Sequence, residues 1–309
     1  MTMKSIRVFA PASVSNLGCG FDIFGLAIDK PGDEVTVSWS KTGETFIRKI
    51  DGAGNLLPLE VSKNTAGVAV QMFLKTVGEK RGIEIAIKKK MPLGSGLGSS
   101  AASAVAAVFA ANMLLGKPYS RKDLIPFAME GERVACGTAH ADNVAPSLLG
   151  GIVLVRSLDP LDVIQLPVPK NLNIVVVHPH VEVLTKDSRA VLKKNILLKK
   201  AVMQWANTAA FVSALYENDL AALGRSVMDY VAEPARAGLI PSFYQVKDAA
   251  MHHGALACSI SGSGPSVFAL CHRNEKEVAA AMRKEFQKAG IRSDVFVSKV
   301  NKAGVRQVH

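Results

Sequence analysis

Aromatic residues are scarce, 6% of the chain, and the platforms on which unstacked bases are held need them. Basic residues outnumber acidic ones by 37 to 26, but they are dispersed, and Lys88-Lys89-Lys90 is the only run of three. That run reads as the solvated end of an edge strand before it reads as a nucleic-acid patch, so no nucleic-acid partner is expected. The four cysteines, Cys19, Cys136, Cys258 and Cys271, have no Cys-x-x-Cys spacing and no histidine at zinc-finger distance. They fit reduced, buried thiols of a cytosolic protein. The opening residues lack the apolar core of a signal peptide. The most apolar stretch, residues 101–115, is too short and alanine-rich to span a bilayer. A soluble cytoplasmic protein without a membrane partner is the expectation. No repeat of fixed period is present.

What the chain does have is a glycine- and serine-rich turn, Pro92-Leu93-Gly94-Ser95-Gly96-Leu97-Gly98-Ser99-Ser100, running into an alanine-rich segment without proline. The turn contains no Gly-Lys-Ser/Thr and does not follow Gly-x-Gly-x-x-Gly, which excludes the common NTPase loop and the dinucleotide fingerprint. Residues 99–115 have strong helix propensity, and residues 83–87 alternate as a strand before the turn. A strand, a glycine turn and a helix N-terminus in that order make an anion cradle. Glycines without Cβ permit close approach, and the first helical amides have no partner within the helix. Ser99 or Ser100 is expected to cap this helix, or to aim a hydroxyl at a metal or phosphate. The net charge of +11 agrees with polyanionic partners such as nucleotides.

Before the turn, strands are expected at residues 6–10, 34–38 and 45–50, and an amphipathic helix capped by Asn64 at residues 64–77. Between the first two strands, Asn16 and Asp22 flank the Gly18-Cys19-Gly20 bend, where they either face one pocket or cap the local backbone. After the turn, a helix at residues 121–134 carries Glu130 and Glu132. A loop at residues 136–146 then brings His140, Asp142 and Asn143 within four positions. Prolines at 167 and 169 mark a boundary, dividing the chain into residues 1–168 and 169–309. Beyond it come an apolar strand at 172–177 and helices at 188–191, 199–215, 220–230 and 242–253. A strand at 255–260, a second glycine turn, Ser261-Gly262-Ser263-Gly264-Pro265-Ser266, a strand at 267–270, a helix at 275–289 and a strand at 294–300 complete the chain.

Three loops now line up: Pro11-Ala-Ser-Val-Ser-Asn-Leu-Gly-Cys-Gly-Phe-Asp22, the turn from Pro92 to Ala102, and Ser261-Gly-Ser-Gly-Pro-Ser266. Together they resemble the three motifs of the GHMP kinases, small-molecule kinases named for galactose, homoserine, mevalonate and phosphomevalonate. The Gly-Phe-Asp ending of the first loop, His140-Ala-Asp-Asn and Glu233-Pro-Ala-Arg236 resemble the branch that phosphorylates homoserine. Cys19 stands where the family usually has proline. The resemblance covers nearly the whole chain and implies an α+β fold of two domains. The N-terminal domain, which binds ATP, would be ribosomal-protein-like with a left-handed βαβ crossover, against the usual hand. The C-terminal domain would be ferredoxin-like.

The resemblance further implies ATP and Mg²⁺ as cofactors and L-homoserine as acceptor. The backbone from Pro92 through Leu93, Gly94, Ser95, Gly96, Leu97, Gly98, Ser99 and Ser100 would hold the triphosphate, and Asn64 the nucleoside. Glu132 with Ser99 or Ser100 would hold the metal, Glu130 being read as a surface helix charge. Arg189 and Arg236 would take the acceptor carboxylate, Asp22 and Asp142 its ammonium, and Thr185 and Gly262 would complete that pocket. Several GHMP kinases carry an aspartate where Asn143 stands, and an amide cannot take a proton. Direct transfer is therefore expected, with Asn16 and Asn143 orienting the hydroxyl and the proton passing to the γ-phosphate or solvent. His140 orders its loop, with a base role as the alternative. A kinase for another small alcohol such as mevalonate, and an RNA-binding protein, are the rival readings. A homodimer is allowed but not required.

Overall fold

The computed structural model describes residues 5–137 and 140–308, leaving out the side chains of Ala135 and Cys136. Thr138 and Ala139 of the expected loop therefore lie outside the described residues, as does the Cys136 thiol; Cys19, Cys258 and Cys271 are free and buried. In chain order the N-terminal elements are β1 (Ser5–Ser15), β2 (Phe24–Trp39), β3 (Phe46–Asp51), α1 (Thr65–Val77), β4 (Ile83–Lys88), α2 (Ser99–Leu114), α3 (Ile125–Cys136), α4 (Ala141–Leu149), β5 (Ile152–Leu158) and β6 (Leu161–Leu166). They are followed by β7 (Asn173–Pro179), α5 (Thr185–Ala190), α6 (Leu198–Glu217), α7 (Leu220–Ser226), α8 (Glu233–Arg236), α9 (Phe243–His252), β8 (Ala257–Ile260), β9 (Val267–Cys271), α10 (Glu275–Lys288), β10 (Ser293–Lys299) and β11 (Arg306–Gln307).

Two sheets organise these elements. The larger, of seven strands among the described residues, runs β11-β1-β2-β4-β3, with β5 added on β2 and β6 on β5. Within it β3 and β4 are parallel and joined through α1, while β4 lies between β2 and β3. Lys88-Lys89-Lys90 therefore leaves an interior strand, which corrects the edge-strand reading of that run. The smaller sheet runs β10-β7-β9-β8, antiparallel throughout. With α9 before β8 and α10 before β10, this is the ferredoxin-like order. The whole is the two-domain α+β fold that the resemblance implied, and no sheet closes into a barrel among the described residues.

Residue type explains the layering. Alternate residues of β7 face opposite sides: Ile174 and Val176 join the larger core, while Val175 and Val177 join a second core with Phe243, Val246, Met282 and Phe286 of α9 and α10. A strand buried on both faces reads as a continuous apolar run. α2 is buried nearly all round, and its alanines let α1, α3, α4 and the large sheet approach its backbone. Phe211 of α6 stacks on Phe24 of β2 at 4.7 Å between centroids, so the larger core also draws on the second half of the chain.

Other sequence expectations change as well, and the helix expected at 220–230 ends at Ser226. β1 continues through Ser15 where a loop was expected, and the expected loop at 136–146 contains the start of α4. Asp142 and Asn143 thus sit on the first turn of a helix that accommodates Pro146, and Gly25 lets β2 pass close to the Asp142 carbonyl. No helix among the described residues is long and apolar enough to cross a membrane.

Candidate active site

The glycine turn is fixed between the other two motifs. Gly94, Gly96 and Gly98 all have positive φ, at 62°, 74° and 66°, a region favouring glycine. A Cβ on Gly96 would lie 2.5 Å from the Ser261 carbonyl oxygen, and one on Gly98 would lie 2.2 Å from Ser13 Oγ. At those two positions the missing Cβ makes room for neighbouring protein, while their backbone still lines the cavity. Gly94 has nothing within 4 Å of its Cβ position and opens into the cavity. The Ser261 hydroxyl donates to Gly96 O at 2.7 Å, and Gly262 N donates to Ser15 O at 3.2 Å. Leu97 is fully buried in the core, and Pro92 does not line the cavity, so neither side chain reaches a ligand there.

Helix α2 starts at Ser99 on an N-cap of Gly98, with no side-chain capping bond. This corrects the expectation that Ser99 or Ser100 caps it. The two serines are used differently: Ser99 Oγ donates to Asp33 Oδ2 at 3.0 Å, and Ser100 Oγ donates to Glu132 Oε2 at 3.0 Å. Ser100, not Ser99, is thus the hydroxyl beside the carboxylate.

Asp33 and Lys89 form an ion pair with side chains 0% and 2% exposed. Asp33 also accepts from Lys90 N and Met91 N, at 2.8 and 3.2 Å, where the chain enters the turn. Lys89 Nζ donates to Ser99 O at 2.7 Å and to Ser103 Oγ at 2.9 Å, where the chain leaves it. One buried pair therefore clasps both ends of the glycine turn. Sequence reasoning missed it. A lysine just before a glycine turn was the available signal, whereas Gly32-Asp33-Glu34 carries none.

Glu132 is buried beside this clasp. Burial pushes its carboxyl up to about 7 despite the Ser100 hydroxyl and the Lys89 charge, with Asp142 adding to the rise. Its Oε1 is buried without a hydrogen-bond partner among the described residues. Glu130 instead pairs with Arg133 on the surface, as expected. Asn64 caps α1 by accepting from Ala66 N at 3.1 Å and also lines the cavity.

At the other end of the cavity, Asn16 Oδ1 accepts from Asp22 N at 3.0 Å while its Nδ2 donates to Gly262 O at 3.0 Å. Both readings of the Asn16–Asp22 segment therefore hold: it caps its own backbone and faces the pocket. Arg189 donates to both Asp22 oxygens, the shortest contact being 3.0 Å. Arg236 is buried and donates to Ser188 O at 3.1 Å and Gly262 O at 2.9 Å; burial, then the nearby Arg189 charge, lowers its pKa. Burial and the Asp22 charge push the Asp142 carboxyl up to about 7. Asn143 is held by two serines, accepting from Ser13 Oγ at 2.8 Å and donating to Ser15 Oγ at 3.1 Å. The His140 imidazole has a lowered pKa, from burial first and then the Arg189 charge, with the Asp22 charge opposing them.

These groups share one cavity of about 410 Å³ that runs from Asn64 and Gly94 through Glu132 and Asn143 to Asp22, Thr185, Arg189, Arg236 and Gly262. No cluster of three or more His, Cys, Asp or Glu able to hold a metal occurs among the described residues.

The chain matches the family model of the GHMP kinases N terminal domain over residues 64–151 and that of the GHMP kinases C terminal over residues 211–288. It is 49% identical over 317 residues to the homoserine kinase of Chloroherpeton thalassium, covering 98% of this chain and 99% of that one. A crystal structure of homoserine kinase from Cytophaga hutchinsonii matches with a TM-score of 0.97 at 54% identity, covering 100% and 98% of the two chains. The mevalonate kinase of Methanococcus jannaschii has a TM-score of 0.70 at 17% identity, covering 100% of this chain and 99% of that one, a likeness of fold alone. With motifs, fold and relatives in agreement, the chain belongs to the GHMP kinases and, within them, to the homoserine kinases.

Proposed function

We infer that this chain transfers the γ-phosphoryl group of ATP to the hydroxyl of L-homoserine, giving O-phospho-L-homoserine. The observation that carries the reading is the single cavity joining a backbone anion cradle to a pocket with charges of both signs. An amino-acid acceptor needs both signs, whereas mevalonate has no ammonium to place. The reaction belongs in the cytoplasm, and the chain divides for this work at residues 168 and 169.

Phosphoryl transfer asks for positioning and charge neutralisation more than for covalent chemistry. The backbone amides from Gly94 to Ser100 and the N-terminal end of α2 hold the phosphates, and Asn64 meets the nucleoside. The orphaned Glu132 Oε1 beside the Ser100 hydroxyl suits a hard cation that keeps most of its waters. A Mg²⁺ held there would offset the negative charge of the transferring phosphates.

Arg236 and Arg189 take the substrate carboxylate, for which the guanidinium fork is suited. Asp22 and Asp142 take the ammonium, and the arriving cation stabilises the ionised form of the buried Asp142 carboxyl. Thr185 and Gly262 wall this pocket. Asn143, held by Ser13 and Ser15, orients the acceptor hydroxyl together with Asn16, and the proton leaves to the γ-phosphate or solvent. A second reading, in which the His140 imidazole accepts that proton, is favoured by its place in the lining of the same cavity as Asn143. A coupled ADP-release assay across homoserine, mevalonate and shikimate tests the function. Turnover with homoserine at least 100-fold above the others is expected, and equal turnover overturns the reading.

A further inference from the structure

A second cavity, of about 620 Å³, lies at the other end of the four-stranded sheet and shares no lining residue with the first. Strand register places it. Asn173 opens β7, Cys271 closes β9 and Lys299 closes β10, and Asn173 is the partner of both. The segments that continue from these positions therefore converge at one end of the sheet. The glycine turn of residues 261–266, which belongs to the substrate cavity, joins β8 to β9 at the opposite end.

Four cations line this second cavity, Lys170, Arg273, Lys299 and Lys302, against the single carboxylate of Glu275. None of the five forms an ion pair among the described residues, so the four positive charges stand uncompensated at one concavity. His272 also lines it, and its Nδ1 is buried without a hydrogen-bond partner among the described residues. Like charges on a flat surface separate into solvent and are screened. Gathered around a concavity, they focus a positive field into it. We propose that this cavity binds a small polyanion, a ligand carrying two or more phosphate or carboxylate groups.

Size and place sharpen the assignment. A volume of that order is typical of small-molecule sites, and it exceeds what one inorganic phosphate would fill. The segment 299–302 also joins the two sheets. Val300 bridges to Ile28, Asn301 N donates to Ala27 O at 2.8 Å, and Gly151 N donates to Asn301 O at 2.7 Å. A polyanion held between that segment and residues 170 and 273 ties the joint together, so binding stabilises the fold.

The probe is tripolyphosphate, titrated by calorimetry into the full chain with the substrate cavity filled by homoserine and a non-hydrolysable ATP analogue. One further binding event is expected, weakened at least tenfold in Lys299→Ser/Lys302→Ser and, independently, in Lys170→Ser/Arg273→Ser. Both variants should keep kcat/KM for homoserine in the absence of the probe. A parallel titration with citrate separates the sources: comparable binding assigns any polyanion, and binding of tripolyphosphate alone assigns phosphate chains. Unchanged binding in both variants, or a response that sodium chloride reproduces at equal ionic strength, overturns the site.

Discussion

The two ends of the substrate cavity are built on different principles. At the phosphate end the ion pair is sealed, with Lys89 and Asp33 side chains 2% and 0% exposed, and it holds backbone in place. At the acceptor end the pair is Arg189 with Asp22, 32% and 31% exposed, and it faces the pocket. A sealed pair cannot lose a partner without leaving an uncompensated buried charge. A half-open pair is held by little and exchanges partners cheaply. The first design suits a ligand read by rigid amides, and the second suits an amino acid whose two charges must replace contacts the protein already makes.

The strongest way to break this contrast is Glu132→Gln, which keeps size and removes the charge at the phosphate end. Turnover should fall by about three orders of magnitude and the Mg²⁺ requirement should rise. If Glu130→Gln does this instead, the wrong carboxylate has been assigned. The same variant carries a stability signature. The folded Glu132 carboxyl sits at about 7 against an ordinary value of 4.5, so the native state holds a proton that the unfolded state has released. Stability from this group is therefore present below about 4.5 and lost as pH rises to about 7, on the order of 3 kcal/mol. Glu132→Gln should remove that loss, making the inactive protein more stable than the parent in urea melts at pH 8. A lower midpoint at pH 8 would contradict the buried, unpaired carboxylate.

Next in size is the clasp. Lys89→Met strands the Asp33 charge and should cost about 3–5 kcal/mol in urea unfolding, with Asp33→Asn/Lys89→Met recovering part of it. A loss below about 1 kcal/mol would show that the pair holds nothing.

At the acceptor end, Arg236→Leu removes a charge-assisted contact and should lower kcat/KM for homoserine by roughly 30- to 1,000-fold, about 2–4 kcal/mol. ATP affinity should barely change. An acceptor without the carboxylate, 3-aminopropanol, should be nearly indifferent to the substitution. Because Arg236 also holds the Ser188 and Gly262 carbonyls, an equal loss with both acceptors would identify it as a support of the fold.

The smallest effects separate two glycines of one turn. Gly96→Ala meets the Ser261 carbonyl at positive φ and should cost stability of about 1–3 kcal/mol. Gly94→Ala shares the positive-φ strain but meets no protein atom, so its larger consequence should be an ATP affinity lowered by about tenfold, read by nucleotide titration. Reversed outcomes would exchange which glycine faces the ligand.

The motifs were legible because they are local. Glycine at a positive-φ turn, asparagine capping α1 and alanine through α2 each answer to backbone geometry within a few residues. That was enough for the family resemblance, the α+β class and the choice of a glycine turn that lines the cavity. Distance along the chain hid the rest. Ser99 lies 66 residues from Asp33, and Asn143 lies 130 from Ser13, so no spacing rule connects them. Lys89 looked like one of three surface lysines because exposure depends on which strand lies beside β4, and β3 reaches that place through a parallel pairing. Asp142 and Glu132 differ from ordinary carboxylates first through burial and then through a neighbouring carboxylate brought close by the fold, both properties of packing and not of the residue. The chain's local chemistry thus announced an anion cradle, whereas which charges are sealed, which are paired and which await a partner depended on bringing distant segments into a low-dielectric interior.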